Sequence, residues 1–225
     1  MNRILAVGCD YDRTLTDNFL EISKEGIKSL RLARKHGITT IVVSGRTTDF
    51  LTKLNRKYGI ADILVAENGA VLFFQKGNKK ILTSNIDLDL RTLLDNADFP
   101  IEFGEVIAST KVEYEKKLLK IIETKNINVK LIRNIDSMML LPPDVDKGIG
   151  LLKALKILEI NKRNLAVIGD GENDLEMFSV AGTRVAVANA VELLKRNADI
   201  ICKNSYGAGV AEFIDMALKN KKVKA

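Results

Sequence analysis

Short apolar runs alternate, over the first third of the chain, with segments whose apolar residues recur every three or four positions. Residues 3–9 form a compact apolar run of strand type. Ser23 can then cap a helix that carries Ile27, Leu30 and Ala33 on one face and stops at Gly37. Residues 38–43 are a continuous, β-branched run, the pattern of a strand covered on both faces of a parallel sheet. A second helix presents Phe50, Leu51, Leu54 and Tyr58 and ends at Gly59, and residues 62–66 supply a third strand. This order predicts a βαβαβ unit with right-handed crossovers.

The pattern changes between about residues 69 and 143. Hairpin-like strands are predicted at 71–74 and 80–82, a helix at 88–94, a strand at 101–108, a long helix at 112–125, and strands at 129–133 and 137–141. Pro142-Pro143 makes a stiff boundary. The alternation then resumes. A helix carries Ile149, Leu152, Leu155 and Leu158, a strand covers 165–168 and a short helix 175–180. Strands at 184–187 and 200–202 follow, and a last helix holds Val210, Phe213, Ile214 and Ala217. The predicted architecture is α/β. A doubly wound parallel sheet, a Rossmann-like core made of 1–75 and 143–225, is interrupted by a smaller inserted α+β domain at 76–142.

Hydrophobic residues at 46% and charged residues at 28% are enough to build such a core. The net charge of +6 comes from basic residues scattered along the chain, densest at Lys219-Asn220-Lys221-Lys222-Val223-Lys224, which reads as a solvated end. With no Trp and aromatics at 5%, there is little material for base stacking, so no nucleic-acid partner is expected. Two cysteines, Cys9 and Cys202, cannot make a disulfide framework and point to a reducing, cytoplasmic setting. No apolar stretch approaches the roughly 20 residues of a membrane span, so no membrane partner is expected either. A homodimer is compatible with all of this.

Chemistry is concentrated where the predicted strands end. Ligands of an open parallel sheet bind beyond the carboxyl ends of its strands. Those ends carry Asp10 to Asp17, then Val43-Ser44-Gly45-Arg46, then Gly169-Asp170-Gly171-Glu172-Asn173-Asp174. Asp146-Lys147-Gly148 stands at the head of the helix after the insertion. Asp10 and Asp12 project the same way from an extended chain, and two close carboxylates demand a proton or a cation. With Asp170 and Asp174 they make four carboxylates without a histidine, a set that suits Mg2+ better than zinc. Lys147 can balance charge when an anion binds, and Ser44 with the amides after it can hydrogen-bond anionic oxygens. Taken singly, each feature is also an ordinary turn or helix cap. Their convergence on one sheet edge is what speaks for a shared site.

Other catalytic plans fail on the residue inventory. His36 is the only histidine and precedes Gly37 at a helix end, where it reads as a C-terminal polar residue, which argues against a Ser-His-Asp triad, a phosphohistidine mechanism or a zinc protease site. A cysteine phosphatase needs an arginine six residues after its thiolate, and those positions hold Leu15 and Ala208. Gly169-x-Gly171 has Asp174 where a dinucleotide fingerprint needs its last glycine, and it lacks a P-loop lysine.

The four clusters resemble the motifs of the haloacid dehalogenase superfamily of phosphohydrolases. Asp10, Asp12 and Thr14 match the first motif, Ser44 the second, Lys147 the third, and Gly169-Asp170-x-x-Asn173-Asp174 the fourth. The position of the insertion resembles the branch with an α/β cap. Glu67-Asn68-Gly69, Ala108-Ser109-Thr110 and Asn204-Ser205-Tyr206-Gly207 are similar to archaeal-type phosphoglycolate phosphatases. Two departures stand out: Arg13 replaces the usual small residue between Asp12 and Thr14, and the cap as a whole matches poorly. The resemblance implies a magnesium-dependent phosphomonoester hydrolase of carbohydrate metabolism that works through an aspartyl-phosphate on Asp10. Asp12 would then be the acid and base, and Asp10, Asp12 (through its backbone carbonyl), Asp170 and Asp174 would hold the metal. Ser44, Lys147 and Asn173 would bind or orient substrate, and residues 13–21 resemble a flap that shifts with the cap. The implied substrate is 2-phosphoglycolate or a similar small phosphorylated metabolite, with Ser109, Thr110, Lys111 and Arg133 as candidates for recognising its carboxylate. A sugar-phosphate phosphatase or a phosphomutase of the same superfamily is the alternative. A receiver-like phosphoacceptor domain is more remote, because its acidic pair is adjacent and its phosphoacceptor follows the third strand, where this chain has Ala66-Glu67-Asn68.

Overall fold

A computed structural model describes residues 3–75, 77–83, 89–133 and 136–223. Its larger sheet has eight strands. Five parallel ones are β1 (Ala6–Asp10), β2 (Thr39–Val43), β3 (Ile63–Ala66), β10 (Leu165–Gly169) and β11 (Thr183–Ala186). A short sixth, β12 (Ile200–Ile201), is parallel to β11, and β4 (Val71–Phe74) and β5 (Lys79–Ile81) run antiparallel at the far edge. The order is β12-β11-β10-β1-β2-β3-β4-β5. Strand order therefore reverses at β1, between β10 and β2, which opens a crevice at the carboxyl end of β1.

The residues explain why this sheet forms. Every position of β1, β3 and β10 is buried, as strands covered on both faces require. Helix α1 (Lys24–Lys35), capped by the Ser23 hydroxyl accepting from the Gly26 amide, packs on α8 (Tyr206–Val223). Helix α2 (Thr48–Tyr58) packs against β3 and β4, and α5 (Lys147–Ile157) against β3, β4 and α6 (Leu175–Val180). The doubly wound α/β core is thus as the sequence predicts.

The inserted unit has its own antiparallel sheet, ordered β6-β7-β9-β8. Its strands are β6 (Glu102–Phe103), β7 (Ala108–Lys111), β8 (Lys130–Arg133) and β9 (Ser137–Leu141). Two helices accompany it, α3 (Leu90–Leu93) and α4 (Glu115–Thr124). A small apolar cluster containing Leu90, Leu118, Ala108, Met138 and Leu140 fills one face. Met139 and Leu141, alternating with these along β9, belong to the main core instead. One face of the small sheet thus packs on its own helices, and the other contributes to the core of the large domain.

Several expectations are revised. The strand predicted over 101–108 is two strands, because Gly104 donates to the Ile107 carbonyl at 2.9 Å and closes a turn between them. The hairpin partner predicted at 80–82 is β5, and it joins the large sheet by pairing with β4. The helix predicted at 112–125 opens with a 3-10 turn at 112–114 before α4. The start of the helix predicted at 88 lies outside the described residues. Helix α7 (Glu192–Arg196) was not predicted, since five residues are too few to show a period. Among the described residues, no helix is long and apolar enough to cross a membrane.

Candidate active site

Asp10 is the last residue of β1 and is almost fully buried. Asp146 caps α5 by accepting the Ile149 amide at 2.7 Å, which places Lys147 on the first turn of that helix. Lys147 is 1% exposed, and its Nζ donates to Asp10 Oδ1 and to Asp174 Oδ1, each at 2.7 Å. Asp174 closes the turn after β10, its Oδ2 accepting the amides of Asp170 at 2.9 Å and Gly171 at 3.1 Å. Gly169 is required there, since a Cβ would stand 2.4 Å from Asp174 Oδ2. Asp170 accepts the Thr14 hydroxyl at 3.0 Å, so β1 and β10 are tied across the crevice. Asn173 shares that turn, with its Oδ1 turned back beside Gly171.

Beyond Asp10 the site extends to the end of β2. Buried Ser44 donates to Asp12 Oδ2 at 3.4 Å and accepts the Arg46 amide at 3.1 Å. The Arg46 guanidinium grips the same carboxylate, with Nη2 at 2.7 Å and Nε at 3.1 Å from Oδ1. Arg46 also lies over the Phe50 ring. The structure thus brings buried Asp10, Lys147 and Asp174 together with half-buried Asp170 and sets Asp12, Ser44 and Arg46 beside them. Arg46 was visible in the sequence but carried no assigned role, because its pairing depends on the path of two loops.

Ligand oxygens of Asp10, Asp170 and Asp174 lie within 4.8 Å of one another. Burial raises the Asp10 pKa well above the ordinary carboxylate range, and the charge of Asp174 adds to this while Lys147 opposes it. Burial and then Asp174 push Asp170 up to about 7, against the Thr14 hydrogen bond and Lys147. Burial alone would lower Lys147, but Asp10 and Asp174 outweigh it and the net shift is upward. One ammonium does not neutralise three clustered carboxylates. An all-oxygen donor set with surplus negative charge fits a hard divalent cation such as Mg2+.

The same shifts give a prediction for the metal-free protein. Asp10 and Asp170 hold protons more tightly folded than unfolded, so stability should rise as pH falls through about 7 toward the usual carboxylate range. In excess chelator, Tm should climb between about pH 8 and about pH 6, and saturating magnesium should flatten that slope. A Tm that ignores pH in chelator would refute the burial of these charges.

The cap residues separate by face. Glu102, Ser109, Met139 and Ile132 pair across the small sheet in one row, on the side of Met139 that packs on the core. Thr110 and Arg133 pair with Met138 on the other side. There Thr110 donates to the Pro100 carbonyl at 2.6 Å, and Arg133 lies 3.5 Å from Glu115 of α4. The geometry keeps Ser109 as a candidate for substrate contact and removes Thr110 and Arg133. Exposed Lys111 lies 3.9 Å from Glu113.

The sequence marks Glu67 only as part of the Glu67-Asn68-Gly69 stretch and gives it no role. Fully buried at the end of β3, its carboxylate accepts the Thr48 hydroxyl at 2.9 Å and the Thr48 amide at 3.2 Å. From the β6–β7 turn it accepts the Glu105 and Val106 amides at 2.9 Å and the Ile107 amide at 3.3 Å. A Cβ on Gly104 would stand 2.6 Å from that carboxylate, so the turn passes close enough only as glycine. One core carboxylate therefore pins the insertion to the catalytic edge.

A sequence profile of the haloacid dehalogenase-like hydrolases matches residues 7–98 and 94–214. The chain belongs to this family of hydrolases. It is 33% identical to "Phosphoglycolate phosphatase 2" of Saccharolobus solfataricus, covering 96% of this chain and 93% of that one. It is 31% identical to "Phosphoglycolate phosphatase" of Archaeoglobus fulgidus, over 92% and 94% of the two chains. In fold, this hydrolase superposes on a Thermoplasma acidophilum crystal structure with a TM-score of 0.81 at 23% identity, covering 96% of this chain and 99% of that one.

Proposed function

We propose that this hydrolase cleaves phosphate monoesters of small cytoplasmic metabolites, 2-phosphoglycolate foremost, by passing the phosphoryl group through Asp10. The carrying observation is the buried Lys147 ammonium bridging Asp10 and Asp174 at 2.7 Å. A carboxylate nucleophile meets a phosphate dianion only where fixed positive charge spreads the repulsion, and such charge acts most strongly when water is excluded.

In the first half-reaction an Asp10 oxygen attacks phosphorus and forms an acyl phosphate. The ester P–O bond breaks, and the leaving oxygen takes a proton from Asp12. In the second, Asp12 takes a proton from water, the water oxygen bonds to phosphorus, and the bond to Asp10 breaks to release inorganic phosphate. Lys147 and the Ser44 hydroxyl hold phosphoryl oxygens, and Asn173 keeps the loop after β10 in place. Asp10, Asp170 and Asp174, with the Asp12 backbone carbonyl, would hold Mg2+, which when bound neutralises phosphoryl charge. Arg46 grips the ionised form of Asp12, so Asp12 must leave that pair to deliver a proton. Both cysteines are buried free thiols, in keeping with a reducing compartment.

The test is turnover against 2-phosphoglycolate, other phosphorylated small acids and sugar phosphates, with release of inorganic phosphate as the readout. Phosphoglycolate should lead, activity should vanish in excess chelator and return with Mg2+, and calcium should inhibit through its looser coordination. Full activity under exhaustive chelation would refute the metal. A faster sugar phosphate would move the substrate to that class, and phosphoryl transfer without phosphate release would indicate a mutase.

A further inference from the structure

The loop after β3 leaves one buried polar side chain unsatisfied. Glu67 and Asn68 both adopt left-handed backbone, with φ of 53° and 55°. Asparagine tolerates that conformation better than most residues. The two side chains then differ sharply. Glu67 is saturated by five donors, whereas the equally buried Asn68 carboxamide has neither its Nδ2 nor its Oδ1 hydrogen-bonded within the protein. Native interiors rarely keep such a group without a ligand or a functional reason. The saturation of Glu67, one residue away, shows that loose packing of the loop is not that reason.

Its location suggests one. The Asn68 amide donates to the Ser44 carbonyl at 3.0 Å, and the Ser44 hydroxyl reaches Asp12. Asn68 Oδ1 lies 4.0 Å from the point where a Cβ on Gly45 would stand, and the Met139 Cε of β9 lies 2.7 Å from that point. The carboxamide is therefore beside the phosphoryl-holding turn, which the Met139 side chain of the cap also approaches. In the mechanism above Asp12 protonates the leaving oxygen, and the Ser44 hydroxyl that reaches Asp12 belongs to this same turn, so the leaving group departs on the Asn68 side of the site.

We propose that Asn68 is a specificity residue, whose Nδ2 donates to the carboxylate of the leaving group once Met139 swings aside. This rests on the phosphomonoesterase reading above and names the core group that completes it. A carboxamide donor recognises a carboxylate or hydroxyl and gives nothing to an aryl ring, so the predicted signature is a change of selectivity.

The experiment compares kcat/KM for 2-phosphoglycolate and p-nitrophenyl phosphate in the wild type, Asn68→Gly and Asn68→Asp, with Tm measured for each. Glycine accepts the left-handed backbone freely, and aspartate keeps the shape while turning the donor into an anion that repels the substrate. Both variants should lower the phosphoglycolate-to-aryl ratio by about tenfold or more, as loss of a hydrogen bond to a charged group implies. Asn68→Asp should fall furthest, and the Tm of Asn68→Gly should not drop. A ratio unchanged in both variants, or equal losses on the two esters with a lowered Tm, would overturn the proposal. So would a wild type that cleaves the aryl ester but not phosphoglycolate. A wild type inert towards both esters would instead overturn the phosphatase reading, and that result is read before any variant is made.

Discussion

Asp10→Asn should abolish turnover of every phosphomonoester, by roughly 10⁵-fold or more, the order seen when a covalent nucleophile is removed. A carboxamide has nearly the same shape as a carboxylate but lacks the nucleophilic anion. The fold should survive, because Asn Oδ1 can still accept from Lys147 Nζ, and Asp174 remains as the charged partner of that lysine. Burial already disfavours the Asp10 anion, so its neutral isostere adds no desolvation cost. The decisive comparison is kcat against Tm. A lost kcat with an unchanged or raised Tm marks Asp10 as reacting atom and not as scaffold. Turnover above a trace in the variant would relocate the nucleophile.

Most of the core was legible because parallel strands carry a strong signal. The continuous run around Ile41–Val43 and the buried strand ending in Gly169 are apolar on both faces, and each is followed at once by polar residues that packing does not explain. Topology then brings those polar ends together, and Asp10, Lys147, Asp170 and Asp174 meet although they are far apart in sequence. What stayed hidden depends on loop paths. Glu67 is legible in the sequence only as part of the Glu67-Asn68-Gly69 stretch, and its role appears once the β6–β7 turn delivers three amides to it. Arg46 is one residue from a recognisable turn, yet only the fold shows that it grips Asp12. The cap was least legible because β6 has two residues and β7 four, too short for alternation to separate faces. That is why Thr110 and Arg133 were indistinguishable from Ser109 as candidates until the register of β7 and β8 on β9 was known.

Asp12→Asn should separate the two half-reactions. With a poor leaving group such as an alkyl alcohol, loss of the proton donor should slow cleavage by roughly 10²–10⁴-fold, the usual contribution of general acid–base catalysis. With p-nitrophenyl phosphate the leaving group departs without a proton, so transfer to Asp10 should continue while hydrolysis of the acyl phosphate stalls for want of a base. A burst of nitrophenol equal to the enzyme concentration should appear, and phosphoenzyme should be detectable by mass after an acid quench. The variant also breaks the ion pair with Arg46, whose side chain is 38% exposed. Water screens a guanidinium at that exposure, so little stability should be lost. The phosphoenzyme burst is therefore the discriminating sign, since a merely loosened loop would slow both half-reactions and leave no covalent species to trap. Unchanged turnover of an alkyl phosphate would remove Asp12 from acid–base catalysis and leave it as the counter-ion that fixes Arg46 at the mouth of the site.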